Sequence, residues 1–409
     1  MTLNTVLLMK SIFLKGRSQS APSHSLYREL MRHPPAGYQI FSGKAEATGK
    51  QQIDSFSKNQ QMIYNFDNKL RSSHVREVWR EAKTLIYMGI KKTQNLRPII
   101  EINPNLIYAS QQLLFTKIPW IVDFEFANGL VDYGDIRLCG RFVQKTLASR
   151  FCKKIMPWSE WAKRTLIRSL DCSRFKEKID VVHFGLEAKD FVKNEDNDKV
   201  RLLFVGSTNR LNYLNFEWKG GYEVVEAFLE LNKKYENIEL VVRSWMPPQI
   251  IEKYANNPKI KLLYNPLSNE ELHRLYASSD IFMFPSYLNL GMVILEAMSY
   301  ELPVIAPRIY DVPEAIEDMK TGVLLDCPKL PFYIWNGSPN HHDKNLLNGI
   351  RRVRQWRVKQ IVEKTSILIE DDSLRKKIGK NARSVIEKGE FSIKNRNKKL
   401  KRIFDEATE

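Results

Sequence analysis

Apolar residues recur through the second half of the chain in short unbroken runs: "RLLFVG" (201–206), "IELVVRS" (238–244), "IKLLYNP" (260–266), "IFMFPS" (281–286), "PVIAP" (303–307) and "GVLLD" (322–326). Between these runs the spacing lengthens to that of amphipathic helices in "GGYEVVEAFLELNKKY", "PPQIIEKYANN", "SNEELHRLYASS" and "GMVILEAMSY". Ser268 followed by Glu271 has capping-box spacing and predicts where the third of these helices starts. Strands apolar at every position and separated by helices predict a parallel sheet covered on both faces, a Rossmann-like α/β domain.

The first half alternates more weakly. Its candidate strands are "TVLLMKSI" (5–12), "YQIFS" (38–42), "RPIIEIN" (97–103), "WIVDFE" (120–125), "KKIMPW" (153–158) and "DVVHFG" (180–185), with helical stretches at 73–89, 135–149 and 159–170. The pattern predicts a second Rossmann-like domain over 1–195, with the boundary in the polar segment "EAKDFVKNEDNDK" (187–199) and the other domain over 196–390. Residues 327–349 break the period and are expected to be an inserted surface loop. Basic amphipathic helices are expected at 373–389 and 392–408, the last within a separate C-terminal element, 391–409. Two such domains facing one another would leave a central cleft, with each sheet offering the carboxyl ends of its strands to a ligand.

Length and composition agree with this picture. A chain of 409 residues is too long for one ordinary core, and 43% hydrophobic with 27% charged residues excludes a disordered or fibrous protein. No apolar run reaches the roughly 18–20 residues that a membrane helix needs, and the N-terminus reads as a first strand instead of a signal peptide. Cys139, Cys152, Cys172 and Cys327 have no metal-binding or disulfide spacing, so a cytoplasmic protein is expected. The net charge of +17 draws polyanions. Basic residues concentrate in "RRVRQWRVK" (351–359) and the C-terminal segments, without the interleaved aromatics that stack nucleic-acid bases. Nucleic acid is therefore not an expected partner. Peripheral contact with an anionic membrane, on its inner face, is the favoured functional reading beside that of a plain solvated helix face.

Candidate chemistry centres on "FPSYLNLGMVILEAMSYELPVIAP" (284–307), in which Glu296 is the only carboxylate until Glu301, within an apolar helical run. A carboxylate there needs a partner, because burying it alone is costly. Gly291 at the helix start, at a strand's carboxyl end, suits a phosphate, and Glu296 one turn on suits the hydroxyls of a ribose or another sugar. Upstream, Lys219-Gly220-Gly221 opens another helix with a cation and accessible backbone amides. The plain alternatives are an interior ion pair for Glu296 and a surface helix start for Lys219. Asp123 and Glu125 end a strand and are candidates to orient an acceptor hydroxyl, or simply to cap a loop. His183 reads as a crossover residue. His341 and His342, being adjacent, cannot readily face one ion, so no metal is assigned.

In their order, these pieces resemble the retaining GT-B glycosyltransferases of family 4 (group 1). The resemblance is carried by "IMPWSEWAKRTL" (155–166), "IDVVHFGLEAKDF" (179–191), "LLFVG…FEWKGGYEVVEAF" (202–228), "LYASSDIFMFPSYLNLGMVILEAMSYELPVIAPRIYDVPEAIEDMKTGVLL" (275–325) and "FSIKNRNKKLKRIF" (391–404). It implies that Gly206 and Lys219 with Gly220 line the donor diphosphate, that Asn289, Leu290 and Gly291 offer backbone amides to it, and that Glu296 holds the nucleotide's ribose. Arg210 takes the place of a family arginine, later in the loop than usual, and Glu314 matches a frequent family glutamate. The family's first paired glutamate, which meets the transferred sugar, falls on Leu288.

The expected function is thus a retaining, metal-independent glycosyltransferase. A UDP- or GDP-type sugar donor would bind the C-terminal domain, and a glycan or lipid-linked acceptor the N-terminal one. No cofactor beyond the donor is expected. Leu288 keeps two rivals open, a nucleotide-sugar epimerase and a non-catalytic sugar-nucleotide or glycan-binding protein.

Overall fold

The computed structural model describes residues 9–15, 25–42, 104–131, 133–193, 199–207, 214–288, 291–327 and 344–409. Two compact units emerge, one of residues 1–183 with 396–409, the other of 184–395. Both are built on parallel sheets.

The first unit runs β1 (Lys10–Lys15), α1 (Ser25–Arg32), β2 (Tyr38–Ser42), β3 (Leu106–Ser110), β4 (Trp120–Phe124), α2 (Gly140–Leu147), β5 (Cys152–Pro157) and α3 (Glu160–Ser169). Its strands lie in the order β2-β1-β3-β4-β5. β3 and β4 are buried at every position, as the central strands of a sheet covered on both faces are. Ser159 starts α3 by accepting a hydrogen bond from Ala162 N at 3.0 Å.

Several expectations shift here. Among the described residues the first strand spans Lys10–Lys15 and so runs past the expected end at 12, while residues 5–8 of the expected strand lie outside the described residues. "DVVHFG" forms no sheet strand. Asp180 N and Val182 N donate to Ile155 O at 3.0 Å and Pro157 O at 3.1 Å, so the segment runs as an extended connection beside the end of β5. The expected strand 97–103 and helix 73–89 lie outside the described residues, and β3 stands in a segment that the periodicity had left unassigned.

The second unit runs β6 (Val200–Val205), α4 (Gly221–Leu231), β7 (Ile238–Arg243), α5 (Pro248–Tyr254), β8 (Ile260–Leu263), α6 (Asn269–Ala277), β9 (Ile281–Met283), α7 (Met292–Ser299), β10 (Val304–Pro307), β11 (Val323–Leu325), α8 (Lys344–Glu370) and α9 (Asp372–Glu387). The strand order is β11-β10-β9-β6-β7-β8, that of a doubly wound sheet. The capping box forms as its spacing predicts: Glu271 N donates to Ser268 Oγ at 3.1 Å and Ser268 N to Glu271 Oε2 at 2.7 Å.

The expected loop 327–349 is helical from Lys344, at the start of a 27-residue helix. Its basic run is not simply a solvated face. Arg351 grips buried Glu217 with two hydrogen bonds, at 2.8 and 3.0 Å, and Arg354 adds one at 2.9 Å. Arg357 is fully buried and donates to Asp326 O at 2.9 Å. Residues 328–343, including His341 and His342, lie outside the described residues.

A last helix, α10 (Ile393–Thr408), does not stand apart, because from Arg396 it joins the first unit. Phe404 packs edge-on against Tyr38 and Tyr108, and Tyr38 Oη donates to Asp405 at 2.6 Å. Its apolar stripe therefore completes the first core, and the division between the units falls at 183/184, not 195/196. Among the described residues no helix is long and apolar enough to cross a membrane.

Candidate functional site

In the second sheet the chain leaves β6 toward β7 and β8 but leaves β9 toward β10 and β11, so the adjacent carboxyl ends of β6 and β9 form the topological switch point. Gly206 follows β6 directly. A Cβ there would lie 2.3 Å from Ser244 Oγ, so only glycine fits. Gly220 has φ +78° and a Cβ would meet Pro285 at 2.7 Å, which seats the Lys219–Gly220 turn on the end of β9. Tyr287 N donates to Trp218 O at 2.9 Å and holds the same turn from the other side.

Two cations converge here. Lys219 Nζ sits 5.9 Å over the Phe284 ring, and burial pushes its pKa down to about 8, with the like charge of Arg243 adding to the effect. Arg243 ends β7, donates to Gly206 O at 3.3 Å, and has its Nε buried without a hydrogen-bond partner among the described residues. The sequence reading passed over Arg243. Its one signal was a basic residue directly after the apolar stretch Leu240–Val242, at the end of a strand.

Glu296 lies on α7, half-buried, and accepts from Tyr276 Oη at 3.2 Å. Tyr276 is buried and stacked at 5.2 Å on Tyr300, whose hydroxyl is 2.7 Å from His273 Nδ1. The charge of Glu296 is also felt at Arg243. The carboxylate is therefore steadied by a tyrosine and a nearby guanidinium while keeping a solvent-facing side. Gly291 precedes α7 with φ −96°, and a Cβ there would meet nothing closer than 3.5 Å, so the glycine leaves open space at the helix mouth. Asn289, Leu290 and Arg210 lie outside the described residues. Leu288 N donates to Ser286 Oγ at 3.0 Å.

The first unit treats its two carboxylates differently. Asp123 is 1% exposed, with Oδ1 accepting from Tyr27 Oη at 2.9 Å and Gln111 N at 3.1 Å, and Oδ2 from Tyr108 Oη at 3.1 Å. It is a core carboxylate, closed to an acceptor hydroxyl. Glu125, half-buried, accepts from Tyr133 Oη at 3.1 Å. Among the described residues no three His, Cys, Asp or Glu side chains are grouped to hold a metal ion.

One consequence is local and testable. Gly220→Ala should destabilise the second unit by about 2–4 kcal/mol, combining the left-handed backbone penalty with the overlap on Pro285. A urea midpoint equal to that of the wild type would show that the turn is not so constrained.

This architecture, two Rossmann-like units on parallel sheets, is the GT-B fold of glycosyltransferases. A structure of Anabaena Alr3699/HepE in complex with UDP and glucose shares it at a TM-score of 0.57 and 14% identity, covering 97% of this chain and 99% of that one. Residues 201–330 match the family described as Glycosyl transferases group 1. The uncharacterized glycosyltransferase MJ1069 of Methanocaldococcus jannaschii is 25% identical over 241 residues, 56% of this chain and 52% of that protein. A D-inositol 3-phosphate glycosyltransferase of Corynebacterium kroppenstedtii is 28% identical over 176 residues, 37% of each chain. The match thus spans about half or less of these relatives' lengths.

Proposed function

We propose that this protein is a retaining glycosyltransferase moving a sugar from a UDP- or GDP-type donor to a glycan or lipid-linked acceptor. The observation that carries the reading is Lys219, a half-buried cation crowded by a second cation at the switch point, one helix away from a steadied carboxylate. A cation held at that cost suits a ligand with a strong negative charge. Lys219 would neutralise charge growing on the leaving diphosphate, together with backbone amides at the mouth of α7. Glu296 would accept the ribose hydroxyls, with Tyr276 fixing its rotamer. The Anabaena neighbour, solved with UDP and glucose, supports a nucleotide-sugar donor.

With leucine at 288 no carboxylate stands ready there as an enzymatic nucleophile, which favours same-face attack by the acceptor guided by the leaving phosphate. That reading also needs no metal. The first unit would take the acceptor, with Glu125 as the carboxylate open to it.

Thermal-shift screening with UDP, GDP, ADP and their sugars should single out one nucleotide, since only a ligand of the folded state raises the melting temperature. Transfer from the corresponding labelled sugar, followed by NMR of the product, should then show retained configuration. Inversion would overturn the mechanism, and nucleotide binding without turnover on any acceptor would overturn the enzyme.

A further inference from the structure

We infer that Arg243 is a second ligand of the donor's diphosphate, placed beside Lys219 on the floor of the switch point. The inference deepens the donor reading above and rests on it. Arg243 comes from β7, outside both glycine loops, yet its guanidinium reaches across the end of β6 to Gly206 O at 3.3 Å. Gly206 itself is pinned there, since Gly206 N donates to Arg243 O at 2.7 Å and its missing Cβ makes room for Ser244. The arginine is thereby locked onto the floor of the switch point.

Its hydrogen bonding is incomplete. Nε is buried and has no partner among the described residues, although a buried charged donor left unsatisfied is costly. Its charged surroundings come from two other elements: Lys219 before α4 repels it and Glu296 on α7 attracts it, while Tyr276 on α6, kept neutral by burial, donates to Glu296. One carboxylate, acting on Arg243 alone, against two mutually repelling cations leaves a positive excess in a half-buried place. A diphosphate placed against Lys219 and the Nε edge of Arg243 would remove the repulsion and satisfy the orphaned donor together. An arginine fork also recognises a phosphate's geometry, which a lysine point charge does not.

The pH consequence follows from charge alone. Lys219 loses its proton near pH 8 because burial desolvates it and because Arg243 stays charged beside it. Affinity for a diphosphate should therefore fall as pH rises through about 8, a range in which the phosphates themselves are already fully ionised. Removing the charge of Arg243 should move that fall to higher pH.

Calorimetry on the full chain, from pH 6.5 to 9.5, tests the assignment and its pH consequence with UDP, GDP and the matching nucleosides. Arg243→Met should weaken the cognate diphosphate by about 10- to 100-fold, leave the nucleoside within a few-fold, and shift the alkaline midpoint upward. Arg243→Lys keeps the charge, so it should keep the midpoint near that of the wild type while still weakening the diphosphate. A general loss of packing would weaken nucleoside and diphosphate alike and would not raise the midpoint. The assignment is overturned by diphosphate affinity equal to wild type in Arg243→Met, by equal loss for the nucleoside, or by an unmoved midpoint. A wild-type protein that binds no nucleoside diphosphate would overturn the donor reading itself, and this assignment with it.

Discussion

Lys219→Met is expected to make the unliganded protein more stable and at the same time nearly inactive. At pH 7 the melting temperature should rise by about 2–5 °C, the shift given by a nucleoside diphosphate should vanish, and kcat/KM for transfer should drop by about 10²- to 10³-fold. The sign follows from the titration. In the unfolded chain the lysine titrates near its ordinary value of 10.5, while in the folded protein it does so near 8, so between these limits the unfolded state binds more protons. Wild-type stability should therefore increase as pH rises through about 8 to 10.5, and below pH 8 the folded protein carries a half-buried charge repelled by Arg243. Methionine keeps the stem's packing over Phe284 and removes that penalty, so the gain should be largest below pH 8 and fade toward 10.5. Melting curves at pH 7 and pH 10, with and without UDP or GDP, decide the matter. A less stable variant that still responds to nucleotide would mean that Lys219 is structural.

The sheet of the second unit was legible because its strands are short and mostly apolar, and the helices between them carry an apolar stripe. Glu296 was singled out as a charge inside an apolar helical run, and Lys219 as a cation before two glycines at a helix start. Arg243 escaped because a basic residue at a strand end is ordinary until the fold shows what stands beside it. The long helix α8 escaped because its buried partners for arginine, Glu217 and the carbonyl of Asp326, are far away in sequence, so "RRVRQWRVK" looked like surface. The last helix likewise reads as a basic solvated element until Phe404 is seen between Tyr38 and Tyr108. In the first unit "WIVDFE" gave the strand correctly but not the difference between its two carboxylates. Asp123 and Glu125 share a face by alternation, yet only the tyrosines from α1 and β3 decide that Asp123 is enclosed.

That enclosure makes Asp123 the position where loss of stability should be largest. Asp123→Ala strips the acceptor from Tyr27 Oη, Tyr108 Oη and Gln111 N at once, in a site that water does not reach, and should cost about 3–5 kcal/mol in the first unit. Asp123→Asn keeps an oxygen for Gln111 N and Tyr27 and can turn its amide toward Tyr108, so it should cost far less. Burial raises the Asp123 pKa to about 6 against hydrogen bonds from Trp158, Tyr27, Gln111 N and Tyr108, which pull it down. The folded state therefore holds this proton between about pH 4 and 6 while the unfolded chain has released it, and stability should decline across that window by about 2–3 kcal/mol, then level off. The asparagine variant, having nothing to ionise, should lack this decline and so compare better with wild type at pH 7.5 than at pH 5. Urea unfolding at those two pH values tests the sign directly. Should Asp123→Asn instead unfold like wild type at both while losing transfer, the carboxylate would belong to the acceptor chemistry after all.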